Sequence, residues 1–167
     1  MIDIDEIIKI TTLLIEISKK ISANPTPEKS GGYLTIVLNN FEEVKVLPIG
    51  TYPKEKEEKY FRLSQEKAHR LYAHWLRDKT AISSFQTRDE SKMQLGGAVL
   101  FEKDSKINLI SFSGLHEKLD ELISVILGIY LNLADKEFAE EIIKISDNYS
   151  FKEMLEKFNI ELKNNNY

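Results

Sequence analysis

The residues best suited to chemistry fall in a few short stretches. Gly96 and Gly97 stand ahead of an apolar run. Without side chains they let a ligand approach the backbone, or let successive N–H groups form an anion-binding nest; they equally supply plain turn geometry before a strand. Ser113 and Gly114 close a second apolar run just before a helical pattern. Backbone N–H groups there can meet a carboxylate or phosphate, and the bland reading is that Ser113 caps the helix. His116, in the first turn of that helix, is the histidine nearest to this pair.

Lys67, Arg70 and Arg88 are the cations placed to meet an acidic ligand group, although a solvated helix face also explains Lys67 and Arg70. Asp120-Glu121 and Asp89-Glu90 are paired acids available to acid–base work, and helix-surface acids are the commoner case. His69 and His74 lie five residues apart, about 140° around a helix, so they do not converge on one metal. With three unpaired histidines and no cysteine, a structural zinc site has no ligand set and none is expected. Neither a Ser/His/Asp ordering nor a Gly-x-x-x-x-Gly-Lys phosphate loop is present.

Composition removes further classes. The chain has 167 residues, 23 Lys and Arg against 27 Asp and Glu, and a formal charge of −4, a poor basis for wrapping nucleic acid. Its 42% hydrophobic and 30% charged content is that of a globular domain. Zero cysteine excludes disulfides and thiolate chemistry. The N-terminus opens on acids where a signal peptide would be basic, and the longest apolar region, 115–133, is broken by charged residues. A cytoplasmic protein with no membrane span is expected.

The elements that must position these residues follow from periodicity. Residues 3–22 carry isoleucines and leucines at helical spacing, on a face wide enough to be sandwiched between a sheet and a second body such as another subunit. Residues 24–32, with two prolines and a glycine pair, read as a breaker. Strands are expected at 33–38 and 44–49, joined by a tight Asn39-Asn40 turn, with Pro48 placing the second at an edge. Residues 51–59 read as a solvated connection, 60–77 as a helix with Phe61, Tyr72 and Trp75 in the core, and 80–95 as an ordered loop. Strands at 98–101 and 107–113, turning at 103–106, precede a helix over 115–133. Asp135 is a candidate N-cap, Ser150 and Glu153 form a candidate capping box, and 164–167 read as a frayed end. The order predicts an α+β fold: a central antiparallel sheet covered by helices, spanning 1–133, with a C-terminal helical extension over 134–167 packed on it.

The order of elements and four motifs resemble the GlcG/HbpS-like family, which includes the C-terminal domains of PduO-type proteins. Tyr33-Leu-Thr-Ile-Val-Leu-Asn39 is similar to its first strand and Glu66-Lys67-Ala68 to a Lys-Ala step in its middle helix. Leu95-Gly-Gly-Ala-Val99 resembles its Gly-Gly turn, and Ile110-Ser-Phe-Ser-Gly114 with Asp120-Glu121 its Ser-Gly turn and Asp-Glu helix. The resemblance covers residues 2–133 and implies a profilin-like α/β/α domain, often oligomeric, that in several members binds haem.

This chain departs from the pattern in having no histidine in its first helix and a Ser111-Phe112-Ser113 ending to its last strand. The expectation is a small-ligand-binding domain. Its cleft would be edged by Gly96, Gly97, Ser113, Gly114 and His116, with Lys67 and Arg88 available to acidic groups. The resemblance makes haem or another tetrapyrrole the first ligand to test, held by histidine, methionine or another oxygen or nitrogen donor. Two alternatives stay open: an oligomeric structural or interaction module without ligand, and an enzyme acting on a small metabolite.

Overall fold

Asp3 starts the first helix. Its carboxylate accepts the N–H groups of Asp5 and Glu6 at 3.0 and 3.2 Å, supplying partners for donors that a helix start leaves open. The computed structural model describes residues 2–165, and this helix is α1 (Ile4–Ser18). It ends four residues short of the periodic pattern. Lys20 and Ile21 tighten onto carbonyls three residues back, and the Asn24 amide takes the Ser18 carbonyl at 2.8 Å.

The remaining elements are β1 (Ser30–Leu38), β2 (Glu43–Thr51), α2 (Glu57–Asp78), β3 (Ala98–Lys103), β4 (Lys106–Ser113), α3 (Glu117–Tyr130), α4 (Lys136–Ser146) and α5 (Phe151–Asn164). The four strands form one sheet in the order β2-β1-β4-β3, every neighbouring pair antiparallel. The fold is therefore α+β, an antiparallel sheet packed against helices with further helices at the C-terminus. No helix among the described residues is long and apolar enough to cross a membrane.

Local chemistry explains where the elements depart from their expected bounds. Gly31 and Gly32 belong to β1 rather than to the breaker, because a β-carbon on Gly31 would stand 2.6 Å from the Thr51 nitrogen. Pro48 does lie on the edge strand, opposite Tyr33. Asp104 and Ser105, with φ of 52° and 61°, form a two-residue hairpin turn. The Asn39 turn is longer, since Phe41 also has a positive φ, and Asn40 anchors it by accepting the Ile107 N–H at 2.8 Å. Residues 80–95 form an ordered loop with two short 3-10 turns, the first held by a capping box between Ser83 and Gln86.

Strand alternation divides the interior into two layers. Leu34, Ile36, Val99, Phe101, Ile110 and Phe112 face α1 and α3 in a large core that Ala139, Ile142, Phe151, Met154 and Phe158 of α4 and α5 also enter. Val37, Ala98, Leu100, Ile107 and Leu109 face Leu71 of α2 in a smaller one. The second body against the broad apolar face of α1 is α5 of the same chain. Glu153 ties the two: it accepts the Ser22 N–H at 3.4 Å and hydroxyl at 3.2 Å instead of closing a capping box with Ser150, whose side chain makes no cap bond. Asp135 caps α4 as expected, accepting the Phe138 N–H at 2.9 Å.

On α2 the buried stripe is Tyr60, Leu63, Ser64, Lys67, Ala68 and Leu71. That stripe leaves Phe61 exposed against the Tyr33 ring rather than in the core, and Tyr72 and Trp75 half-buried at its margin. Of the frayed end expected at 164–167, Asn164 is the last helical residue, while 166 and 167 lie outside the described residues.

Candidate functional site

Lys67 lies on the buried stripe of α2 and is 1% exposed. A lone ammonium there would be prohibitively desolvated, so its partners define what it does. It donates to the Phe112 carbonyl at 2.9 Å and to Asp120 Oδ2 at 3.0 Å. α2 and α3 cover opposite faces of the sheet, so this ion pair joins the two layers around the sheet end. Gly97 makes the passage possible: at φ +132°, a β-carbon would sit 2.8 Å from the Lys67 ammonium and 2.9 Å from the Asp120 β-carbon. The other Asp120 oxygen accepts the Leu115 N–H at 2.9 Å. Burial pushes the Asp120 carboxyl up, against the pull of Lys67 and this N–H.

The first two turns of α3 carry two more anchors. Glu117 accepts the Gly96 N–H at 2.8 Å and takes Arg88 Nε on both oxygens at 3.0 Å. Burial works to raise the Glu117 carboxyl, but Arg88 and the Gly96 N–H outweigh it and hold it below the ordinary carboxylate range. Glu121 is fully buried and receives Ser83 at 2.6 Å, Ser146 at 2.5 Å and Asn148 at 3.1 Å. Burial raises its carboxyl against these three donors. The three acids of α3 thereby fasten the 80–95 loop, α2 and the α4–α5 corner to one helix. Arg70 donates to the Leu95 carbonyl and pairs with Glu66 at 3.5 Å, and burial lowers its guanidinium pKa.

The residues singled out from the sequence are thus brought to several separate places. Lys67 and Gly97 meet inside the protein, with Lys67 neutralised by Asp120. Gly96 and Arg88 meet at Glu117, and the space a Gly96 side chain would need is taken by the Phe85 ring. Ser113 is buried at the end of β4 and does not cap α3; His116 is the N-cap, its Nδ1 facing the Lys118 N–H at 3.4 Å. His116 lines a separate cavity of about 300 Å³ with Lys118, Asn148 and Tyr149. Gly114 alone of the seven borders the strand-end cleft described next.

That cleft, about 410 Å³, opens where the ends of β1, β2 and β4 meet the approach to α2, and Gly31, Gly114, Tyr52, Tyr60, Lys29 and Lys56 line it. Gly31 and Gly114 pack backbone to backbone at its edge, with no room for a side chain on Gly114. Tyr60 is 9% exposed and makes no side-chain hydrogen bond among the described residues. Burial, and next the charge of Asp120 nearby, push its phenol up, so it stays a neutral donor. Tyr52 packs between Tyr33 and Tyr60, with ring centroids 5.6 and 6.1 Å away. Lys29 and Lys56 form no ion pair among the described residues, unlike Lys67, Arg70 and Arg88.

Tyr52, Tyr60, Lys29 and Lys56 are missing from the sequence-derived candidates because they fall in stretches read as a breaker, a solvated connection and a helix start. The signal was the hairpin itself: once β1 pairs with β2, Ser30 stands opposite Thr51, and the residues flanking both must meet. No group of three or more histidine, aspartate or glutamate side chains is arranged to hold a metal ion among the described residues. The chain matches no protein-family model, no curated protein and no solved structure.

Proposed function

We propose that this chain is a cytoplasmic small-ligand-binding domain whose ligand occupies the strand-end cleft. The observation that carries the reading is a cleft of about 410 Å³ lined by Tyr60, a largely buried residue whose hydroxyl makes no hydrogen bond among the described residues. That hydroxyl is free to donate to an acceptor on a ligand. The catalytic alternative has less support, because the acids of α3 are each engaged in structural bonds.

The tetrapyrrole suggested by the GlcG/HbpS-like resemblance fits the cleft poorly. Among the described residues no histidine or methionine lines it, which leaves iron only tyrosine, lysine or Glu28 side chains as axial donors.

Native mass spectrometry of the full chain tests the reading. The expected spectrum has one small molecule per chain, held about tenfold more weakly in Tyr60→Phe, the scale of one hydrogen bond. A bare chain, or a ligand that Tyr60→Phe leaves unaffected, overturns it. In a haemin titration the Soret band should stay where it is in free haemin. A shifted band that Tyr60→Phe abolishes would restore the tetrapyrrole.

A second reading, a self-assembling interaction module, draws on the groove of about 570 Å³ between α4 and α5, beside Tyr149, which is 78% exposed. Light scattering that finds a monomer at high concentration removes it.

A further inference from the structure

The chemistry lining the cleft narrows what enters it. Lys67, Arg70 and Arg88 each have a carboxylate within 3.5 Å, so their charge is already answered by the protein. Lys29 and Lys56 are different: both line the cleft, and neither has an acidic partner among the described residues. Lys29 is half-buried, and its charge reaches the buried Asp120. Among the described residues Glu28 is the one acid lining the cleft, against two lysines. Tyr52 and Tyr60 line the same cleft, and burial pushes the Tyr60 phenol up, so its hydroxyl is a neutral donor.

Resting on the cleft reading above, we infer that the ligand is a compact organic anion whose carboxylate or phosphate is met by Lys29, Lys56 and the Tyr60 hydroxyl, with a flat apolar body against Tyr52. Each part follows from a separate property of the lining. Two unpaired ammonium groups favour a negative charge and steer it inward. A neutral phenol donates to an anion without a charge of its own to desolvate. An aromatic wall accepts a ring by offset stacking. The volume of about 410 Å³ suits a single-ring metabolite.

The probes are benzoate, phenyl phosphate, inorganic phosphate and uncharged benzamide, titrated into the 15N-labelled full chain and followed by amide chemical shifts. Benzoate and phenyl phosphate should move Gly31, Tyr52, Tyr60 and Gly114 together, with phenyl phosphate binding more tightly than inorganic phosphate. Benzamide should bind at least about tenfold more weakly than benzoate, from the loss of the charge-assisted contacts. Lys29→Met and Lys56→Met, placed outside the core so that the fold survives, should each weaken the anions about fivefold and leave benzamide unchanged.

Benzamide binding as well as benzoate, or anion affinity indifferent to both lysine variants, overturns the anion assignment and leaves a cleft for neutral ligands. Shifts elsewhere, or none with any probe, also overturn the anion assignment, and the native mass spectra then decide separately whether the cleft reading survives.

Discussion

On one side of the sheet, Leu34, Ile36, Phe101, Ile110 and Phe112 meet α1 and α3 in a continuous apolar core that α4 and α5 enlarge. On the other, the same strands turn Thr35, Ser111 and Ser113 as well as Val37 and Leu109 toward the side covered by α2, whose inner stripe includes Ser64 and Lys67. Thr35 and Ser64 share a hydrogen bond of 2.9 Å across this layer, and Lys67 reaches Asp120 past the sheet end. The first layer is held by area removed from water, which is forgiving and non-directional. The second depends on a few directional contacts that are costly to break singly. The proposed cleft opens on the second layer, beside Tyr60 and behind the Lys67–Asp120 pair, where polar chemistry already reaches the interior.

Substitutions can break this contrast. The largest effect is expected from Asp120→Ala, which leaves the Lys67 ammonium buried and unpaired. Urea unfolding should show a loss of about 3–5 kcal/mol, and the double variant Lys67→Met/Asp120→Leu should recover most of it. A loss below about 1 kcal/mol would mean that the pair does not hold the layers together. Next, Leu122→Ala in the large core should cost about 4 kcal/mol. Leu71→Ala in the small one should cost about 2 kcal/mol, because half-buried Tyr72 and Trp75 can settle into the space. Equal losses would erase the distinction between the faces.

A smaller effect concerns pH. Burial raises the Glu121 carboxyl above its unfolded value, so the folded chain holds this proton after the unfolded chain has released it. Stability contributed by Glu121 is therefore greatest at low pH. It falls as pH rises from the ordinary glutamate range through the raised folded value. Denaturation midpoints across that range should fall more steeply in the parent than in Glu121→Gln, and parallel curves would refute the assignment. The smallest effect is Arg88→Ala. Its ion pair with Glu117 is partly exposed, and the Gly96 N–H keeps its partner, so a loss of about 0.5–1 kcal/mol is expected by thermal unfolding.

Much of the architecture was legible in the chain. Helical spacing marked α1, α2 and α3, Pro48 marked an edge strand, and Asp135 marked the start of α4, because each rests on contacts within a few residues. The site was legible only in fragments. Gly97, Lys67 and Asp120 were all chosen as notable, yet as ligand or acid–base candidates; that they satisfy one another depends on Gly97 leaving a passage between layers 53 residues apart in sequence at Lys67 and Asp120. Glu153 shows the same limit, since a local capping box and a bond to Ser22, 131 residues away, look alike in sequence.

The amino-acid sequence by itself determined the elements, the antiparallel hairpins and the exclusion of thiol chemistry, since periodicity, turn residues and composition act locally or over the whole chain. Only the tertiary structure decided which charges are spent inside the protein and which are left over. Pairing of a buried charge is set by distances of about 3 Å between segments remote in sequence, and no spacing rule reports them. For that reason Lys67 and Arg88 became structural, while Lys29 and Lys56, unremarkable in sequence, are the cations left to line a cleft.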